Sequence, residues 1–427
     1  MKENFLTRML KGNEINISRS CFTWNTIAGG VNAAEAIVLL MIVTRTSGVE
    51  AAGVLSIAFA LGNLLMTIGK FGVRSYQVTD VRKEYSFNVY YTLRICSVFA
   101  MVVISAGYIA LKIFGGSYSL EKGAVVFCIC LIYAIESFED VFLGYYQEEG
   151  RLDIASKVFI IRWVSIISIF FVMIIACNNL LLAIWVALLG SLICDIYLLV
   201  LTKRWFNMPK LRIDRSRLYG LVKQCTALFA AAFLTFYVTN APKYAIDKYL
   251  SEDIQAYYGY ISMPVFVVEL LNCFLYQPHM VDLANEWNSC QYKKFNKRTC
   301  KQYIAILFLT VVCAVGAFFL GIPILSYIYG VNLGLYRGEL MVLMIAGGAL
   351  AFVGYTSVLL TIMRKQTVLL YNMLIIAVLA LLGFGKITQK FGMMGSTKYY
   401  LFLMFILALL NYCCTIVATH RLKRITR

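Results

Sequence analysis

Charge is scarce in this chain. Only 14% of its 427 residues are Asp, Glu, Lys or Arg, against 61% hydrophobic, whereas a water-soluble chain carries about a quarter charged residues to coat its surface. A soluble multidomain protein is therefore excluded. What charge there is lies in short clusters between long apolar runs, the pattern of a polytopic membrane protein. Proline is rare, at 5 residues, and the runs are too long for alternating strands, which excludes a transmembrane β-barrel. With two histidines and no Cys-x-x-Cys, a zinc centre has no ligand framework. Neither Gly-x-x-x-x-Gly-Lys-Ser/Thr nor Gly-x-Gly-x-x-Gly occurs, so the chain is not expected to drive transport by ATP hydrolysis itself. No metal or cofactor is expected.

About twelve runs have roughly the 20 apolar residues that an α-helix needs to cross a bilayer. They cover 21–44, 51–71, 88–114, 124–146, 156–177 and 180–201, then 218–240, 255–277, 302–329, 338–363, 367–388 and 398–419. The expected fold is all-α, with two six-helix lobes, 1–202 and 218–427, joined by a basic linker at 203–217. Placing both termini in the cytoplasm puts 30 of the 39 Lys and Arg on or near the cytoplasmic side, the bias that orients membrane proteins on insertion. The net charge of +17 is then a topology signal and an affinity for anionic membrane lipid, not for nucleic acid. The first run is too long for a signal-peptide core and is expected to be retained. Most of the 13 cysteines fall inside apolar runs and read as small core residues.

Ionisable groups in hydrocarbon are costly, so those inside the runs carry the most information. Glu136, Glu139 and Asp140 stand three and four residues apart, on one helical face, and need cations. Lys70, Arg74, Arg94 and Arg162 are the candidates on the same side. The cluster either pins helices together or takes part in transport or gating. Glu35, with Asn32 three residues earlier, is the candidate for holding a coupled proton or Na⁺. The alternative is an interhelical hydrogen bond. Glu269 is the matching candidate in the second half, and Asp195 reads as structural. Arg45, Lys243 and Lys248 sit near outer helix ends, where cationic side chains snorkel to the interface. A phosphorylated lipid would need cations to replace its water, which makes Arg45, Arg74, Arg94 and Arg162 phosphate candidates.

The stretch Ile68 to Asp80 (Ile-Gly-Lys-Phe-Gly-Val-Arg-Ser-Tyr-Gln-Val-Thr-Asp), followed by Tyr85-Ser86 and Arg94, resembles the end of span two in bacterial polysaccharide-transporter flippases. Ala241-Pro242-Lys243-Tyr244-Ala245-Ile246-Asp247, then Tyr257-Tyr258-Gly259, Met263-Pro264, Gln277-Pro278 and Leu283-Ala284, is similar to their spans seven and eight. The resemblance implies a V-shaped pair of six-helix bundles of the multidrug/oligosaccharidyl-lipid/polysaccharide flippase superfamily, alternating between inward and outward openings. It implies an undecaprenyl-diphosphate-linked oligosaccharide as cargo, moved across the bacterial cytoplasmic membrane for O-antigen, capsule or similar polysaccharide synthesis. Glycosyltransferases and a glycan polymerase are the implied partners. Arg74, Gln77 and Lys243 become candidate substrate contacts, and Asp80 and Asp247 candidate gating or coupling positions. Two alternatives remain: a multidrug extruder of the same superfamily, and a polytopic glycan polymerase. Against the latter, the longest outer loop is expected to be only about fifteen residues, between spans seven and eight.

Overall fold

The computed structural model describes residues 5–11, 16–80, 83–206, 208–276 and 279–425. Gln277 and Pro278 of the second resemblance stretch lie outside them. Among the described residues every regular element is helical. In the first half these are α1 (Phe5–Lys11), α2 (Ile17–Ser47), α3 (Val49–Lys70), α4 (Val73–Thr79), α5 (Phe87–Phe114), α6 (Leu120–Glu148), α7 (Leu152–Cys177) and α8 (Leu180–Lys203). There follow α9 (Leu218–Tyr249), α10 (Glu252–Ser262), α11 (Val265–Tyr276), α12 (Met280–Asn288), α13 (Tyr292–Gly316), α14 (Ile322–Tyr329), α15 (Arg337–Ile362) and α16 (Gln366–Ile425).

The chain is a multi-pass integral membrane protein. Ten helical stretches of the described residues are long and apolar enough to cross a bilayer. Two features account for the difference from twelve. α6 has the length, at 29 residues, but carries Glu136, Glu139 and Asp140 in its interior. α16 is two helices joined at Gly392, whose φ of 62° and ψ of −152° break the helical path. All thirteen cysteines are unpaired.

The structure corrects the expected outer loop. α9 continues through Pro242 to Tyr249, and only Leu250 and Ser251 separate it from α10. Lys243, Asp247 and Lys248 look like the end of a span, yet Ala241, Ala245 and Ile246 keep burying the same helical face. The segment taken as a loop after span eight likewise contains α12 and the start of α13. A wide turn at Ala317–Gly321 links α13 to α14. Pro323 there has no N–H to give the carbonyl four residues back, which loosens the ladder.

Two compact units divide inside α9, at residues 1–236 and 237–427. In the first, α6 packs against α3, α5, α7 and α8, while α2 packs on α7 and α3. Nineteen of the 29 residues of α6 are buried, its three inner acids among them, so neighbouring helices must supply the counter-charge. The chain breaks sharply between α3 and α4. Phe71 (φ 43°) and Gly72 (φ 68°) both take left-handed backbone, and Phe71 N–H closes the turn on Thr67 O at 2.9 Å. Gly72 is also tight: a Cβ there would sit 2.7 Å from the Leu228 Cβ. In the second unit α15 is the central helix, packed against α16, α11 and α13.

Candidate functional site

The break after α3 brings Lys70 and Arg74 up to the acidic face of α6, and α5 and α7, packed on the same helix, bring Arg94 and Arg162. Lys70 Nζ reaches Glu136 Oε1 at 2.8 Å, and Arg162 Nη2 from α7 reaches Glu136 Oε2 at 2.8 Å. Arg162 Nε meets Glu139 Oε2 at 2.6 Å. Asp140 lies between two guanidinium groups, with Arg74 Nη1 at 3.1 Å on Oδ1 and Arg94 Nη2 at 2.8 Å on Oδ2. Glu136 and Asp140 therefore each hold two cations.

Local geometry explains how Arg94 is accommodated. Its Nη1 donates to Gly69 O at 2.8 Å, as does Ser97 Oγ at 2.7 Å. Gly69 lies in the last turn of α3, where carbonyls lack intrahelical donors and a cation is favoured. Arg74 is further held by Gln147, whose Oε1 accepts from its Nε and Nη2 at 3.3 and 3.0 Å. Gln77 is buried against α6 and donates to Val141 O at 3.4 Å. Gly144 leaves room for it, since a Cβ there would lie 2.7 Å from Gln77 Oε1.

Exposure divides the cations into two kinds. The Arg94 and Arg162 side chains are wholly enclosed, at 0%, whereas Lys70 and Arg74 keep 33% and 29% of their side-chain surface. Of the phosphate candidates, Arg74 thus keeps an accessible edge, while Arg94 and Arg162 are enclosed. Three carboxylates within about one turn of α6 commit both guanidinium groups to ion pairs in the interior.

Glu35 is buried in α2, and its Oε1 accepts from the Tyr133 hydroxyl at 3.2 Å. That hydroxyl accepts in turn from Asn63 Nδ2 at 3.3 Å. The expected amide partner, Asn32, is exposed, and no hydrogen bond joins it to Glu35 among the described residues. The amide support comes from α3 instead. Trp163 Nε1 also donates to Glu136 Oε2 at 3.0 Å. Asn63, Tyr133, Gln147 and Trp163 were not singled out from sequence. Tyr133 stands three residues before Glu136, and Asn63 is the lone amide in the apolar run of α3, which were the available signals.

Asp80, a candidate gating or coupling position, lies at the end of α4. Its carboxylate accepts from Glu84 N at 3.0 Å, Tyr85 N at 3.2 Å and the Tyr90 hydroxyl at 2.8 Å, fixing the chain between α4 and α5. Burial pushes this carboxyl up, but the three donors outweigh it and hold it below the usual aspartate value. Arg45 is exposed in the last turn of α2. In the second unit, Lys243 is buried directly after Pro242, while Asp247 and Glu269 are half-buried. That unit also carries an apolar groove of about 530 Å³, lined by Tyr303, Leu307, Phe352, Phe405 and Tyr412 among others. Its lining carries no charge, so it is suited to hydrocarbon and not to an ion.

No family model matches the chain, and no curated protein sequence matches it. Solved structures do. A structure titled "Lipid II flippase MurJ, inward closed conformation" aligns with a TM-score of 0.71 at 15% identity, covering 90% of this chain and 86% of that one. An inward-facing multidrug resistance MATE family transporter of the MOP superfamily gives 0.67 at 11% identity, over 92% and 96%. A MOP superfamily transporter from Pyrococcus furiosus, whose title reports reversed polarity of its binding pocket, gives 0.55 at 11% identity, over the full length of both. The chain has the fold of MOP superfamily transporters.

Proposed function

We propose that the chain is a flippase that moves an undecaprenyl-diphosphate-linked oligosaccharide from the inner to the outer leaflet of the bacterial cytoplasmic membrane by alternating access, serving cell-surface polysaccharide synthesis such as that of O-antigen. Two six-helix halves, 1–202 and 218–427, flank the basic linker at 203–217, with both termini cytoplasmic. The observation that carries this reading is the division among the cations. Arg94 and Arg162 neutralise the interior, while Lys70 and Arg74 stay partly exposed at the edge of the same network. A diphosphate entering a membrane protein must exchange water for such donors, and guanidinium matches phosphate geometry through its planar fork. The similar fold of a protein titled a lipid II flippase supports a lipid-linked cargo, and the uncharged groove of the second unit suits an isoprenoid chain.

Binding alone gives no net direction, so an ion gradient or downstream consumption of cargo must bias the cycle. Glu35, with Tyr133 and Asn63 behind it, is the position we assign to a coupled proton or Na⁺. Glycosyltransferases and a glycan polymerase are the partners this cargo requires. The fold shared with a multidrug transporter keeps extrusion of amphipathic cations as a second reading. Deletion of the gene separates them. Accumulation of a lipid-linked glycan on the inner leaflet is expected, and drug sensitivity with normal surface polysaccharide would displace the flippase reading.

A further inference from the structure

Four cations crowd the short stretch between α8 and α9. Lys210, Arg212, Arg215 and Arg217 are all exposed, and the only carboxylate among residues 208–217 is Asp214. That carboxylate is already engaged, accepting from Ser86 Oγ at 3.3 Å and from Ser216 N at 2.9 Å. Like charges in a linker repel and extend it. Here the backbone is nevertheless pinned. Asn88, in the first turn of α5, donates from Nδ2 to Lys210 O at 3.2 Å and accepts from Arg212 N on Oδ1 at 3.3 Å. One turn further along the same face of α5, Thr92 Oγ1 accepts from Asp214 N at 2.8 Å. Arg217 Nη1 donates to Glu84 O at 3.2 Å, and Met208 and Leu211 pack against the core of the first unit. Backbone groups of 210, 212 and 214 are thus spent on α5, while the Lys210, Arg212 and Arg215 side chains stay in the open.

The level of this segment identifies what it meets. It runs from the end of α8 to the start of α9 and rests on the first turns of α5, and each of these three helices is long and apolar enough to span a bilayer. The pinned stretch therefore sits where three spans leave the hydrocarbon. Its apolar groups fit that depth. Ile213 is 66% exposed and Tyr219 84%, each beside the cations. Exposed apolar and aromatic groups among Lys and Arg suit the boundary between headgroups and acyl chains, where an acidic protein surface would match the charge alone.

We propose that residues 208–219 form a docking site for anionic phospholipid headgroups of the leaflet at that face. Arg212 and Arg215 hold the lipid phosphate, Lys210 and Arg217 add to the attraction, and Asn88 and Thr92 position the segment that presents them. Because the backbone is already fixed, binding costs less ordering than it would in a loose basic tail. The site is separate from the ion pairs of α6 and requires neither a particular cargo nor the flippase reading.

Photo-crosslinking of the full chain in nanodiscs tests it. Phosphatidylglycerol and phosphatidylcholine probes, each with a photoactivatable group near the glycerol backbone, are compared as minor components of a phosphatidylcholine bilayer. Phosphatidylglycerol adducts are expected in the peptide covering 208–219, well above those of the phosphatidylcholine probe. Near a membrane surface each Lys or Arg is worth about fivefold in attraction to anionic lipid, so Arg212→Gln with Arg215→Gln should cut that labelling about tenfold or more. Lys293→Gln with Lys294→Gln removes the same charge from the start of α13 and should leave it unchanged. All four side chains are exposed, which keeps both variants comparable in fold. Equal labelling by the two lipids in the unmodified protein overturns the proposal and leaves the patch to an acidic protein partner. Full labelling of the double arginine variant overturns it too, as does an equal loss in the α13 variant, which would reduce the effect to net charge. Failure here leaves the flippase reading standing, since nothing in the measurement involves transport.

Discussion

Arg162 Nε lies 2.6 Å from Glu139 Oε2 with neither side chain exposed to any degree. The same guanidinium also reaches Glu136, so one α7 side chain is shared between two carboxylates of α6, with Lys70 as the second cation of Glu136. Removing one partner from such a site leaves the other charges buried and uncompensated, a loss of about 3–5 kcal/mol. Arg162→Met is therefore expected to lower the thermal midpoint of the purified protein strongly, and Arg162→Lys to recover part of it, because an ammonium keeps the charge but not the fork. An unchanged midpoint in Arg162→Met would mean that the network does not hold the unit together.

Lys70 and Arg74 should behave differently. Each pairs with a carboxylate that keeps a second cation, Arg162 for Glu136 and Arg94 for Asp140. Arg74→Ala should consequently insert and unfold much as the unmodified protein does, whereas Lys70→Ala leaves Glu136 and Glu139 to share Arg162 and should lower the thermal midpoint; cargo translocation in proteoliposomes should fall in both. Normal translocation by both variants would remove them from the phosphate contact.

This distinction marks where sequence reading stopped. The offsets of Glu136, Glu139 and Asp140 identified one helical face and the four cations able to meet it, because helical spacing is a geometric consequence of chain order. Which of those cations stay accessible depends on how α3, α5 and α7 are cut to length around α6, and spacing does not carry that. Trp163 and Tyr133 were missed for a related reason. An aromatic residue in an apolar run reads as core, and its N–H or O–H becomes significant only once an acid is seen beside it. The extension of α9 was concealed by Lys243, Asp247 and Lys248, whose charges imitate a span end while the buried face continues beneath them.

Gly72 couples backbone and packing. A side chain there must adopt φ near 68° and find room where Leu228 Cβ already stands 2.7 Å from the added atom. Gly72→Ala should cost about 1–3 kcal/mol through left-handed strain and overpacking together. Leu228→Gly in the same chain, which removes that Cβ where Leu228→Ala would keep it, should relieve the packing part and leave the strain. If Gly72→Ala unfolds at the unmodified temperature, the α3–α4 break tolerates ordinary residues.

Asp80 supplies an acid-dependent contribution to stability. Its carboxyl lies below the ordinary aspartate value in the folded chain, so it binds its proton less readily than in the unfolded chain. The resulting stabilisation is present above the unfolded value of about 3.9 and is lost as pH falls through the folded one. Asp80→Asn should thus lower stability at neutral pH and flatten the fall below about pH 4. A variant with the same acid limb as the unmodified protein would show that the three donors do not favour the charged form.

Glu35 is the last position to test. If it carries the coupled ion, Glu35→Gln should make translocation insensitive to an imposed pH or Na⁺ gradient, since a neutral amide cannot exchange the charge. The hydrogen bonds distinguish its supports. Asn63 donates to the Tyr133 hydroxyl that donates to Glu35, whereas Asn32 is exposed and has no hydrogen bond to Glu35 among the described residues. Asn63→Leu should accordingly alter gradient dependence, and Asn32→Ala should not. The reverse pattern would assign the coupling amide to the exposed face of α2, and gradient dependence retained in Glu35→Gln would leave this carboxyl with an interhelical structural role only.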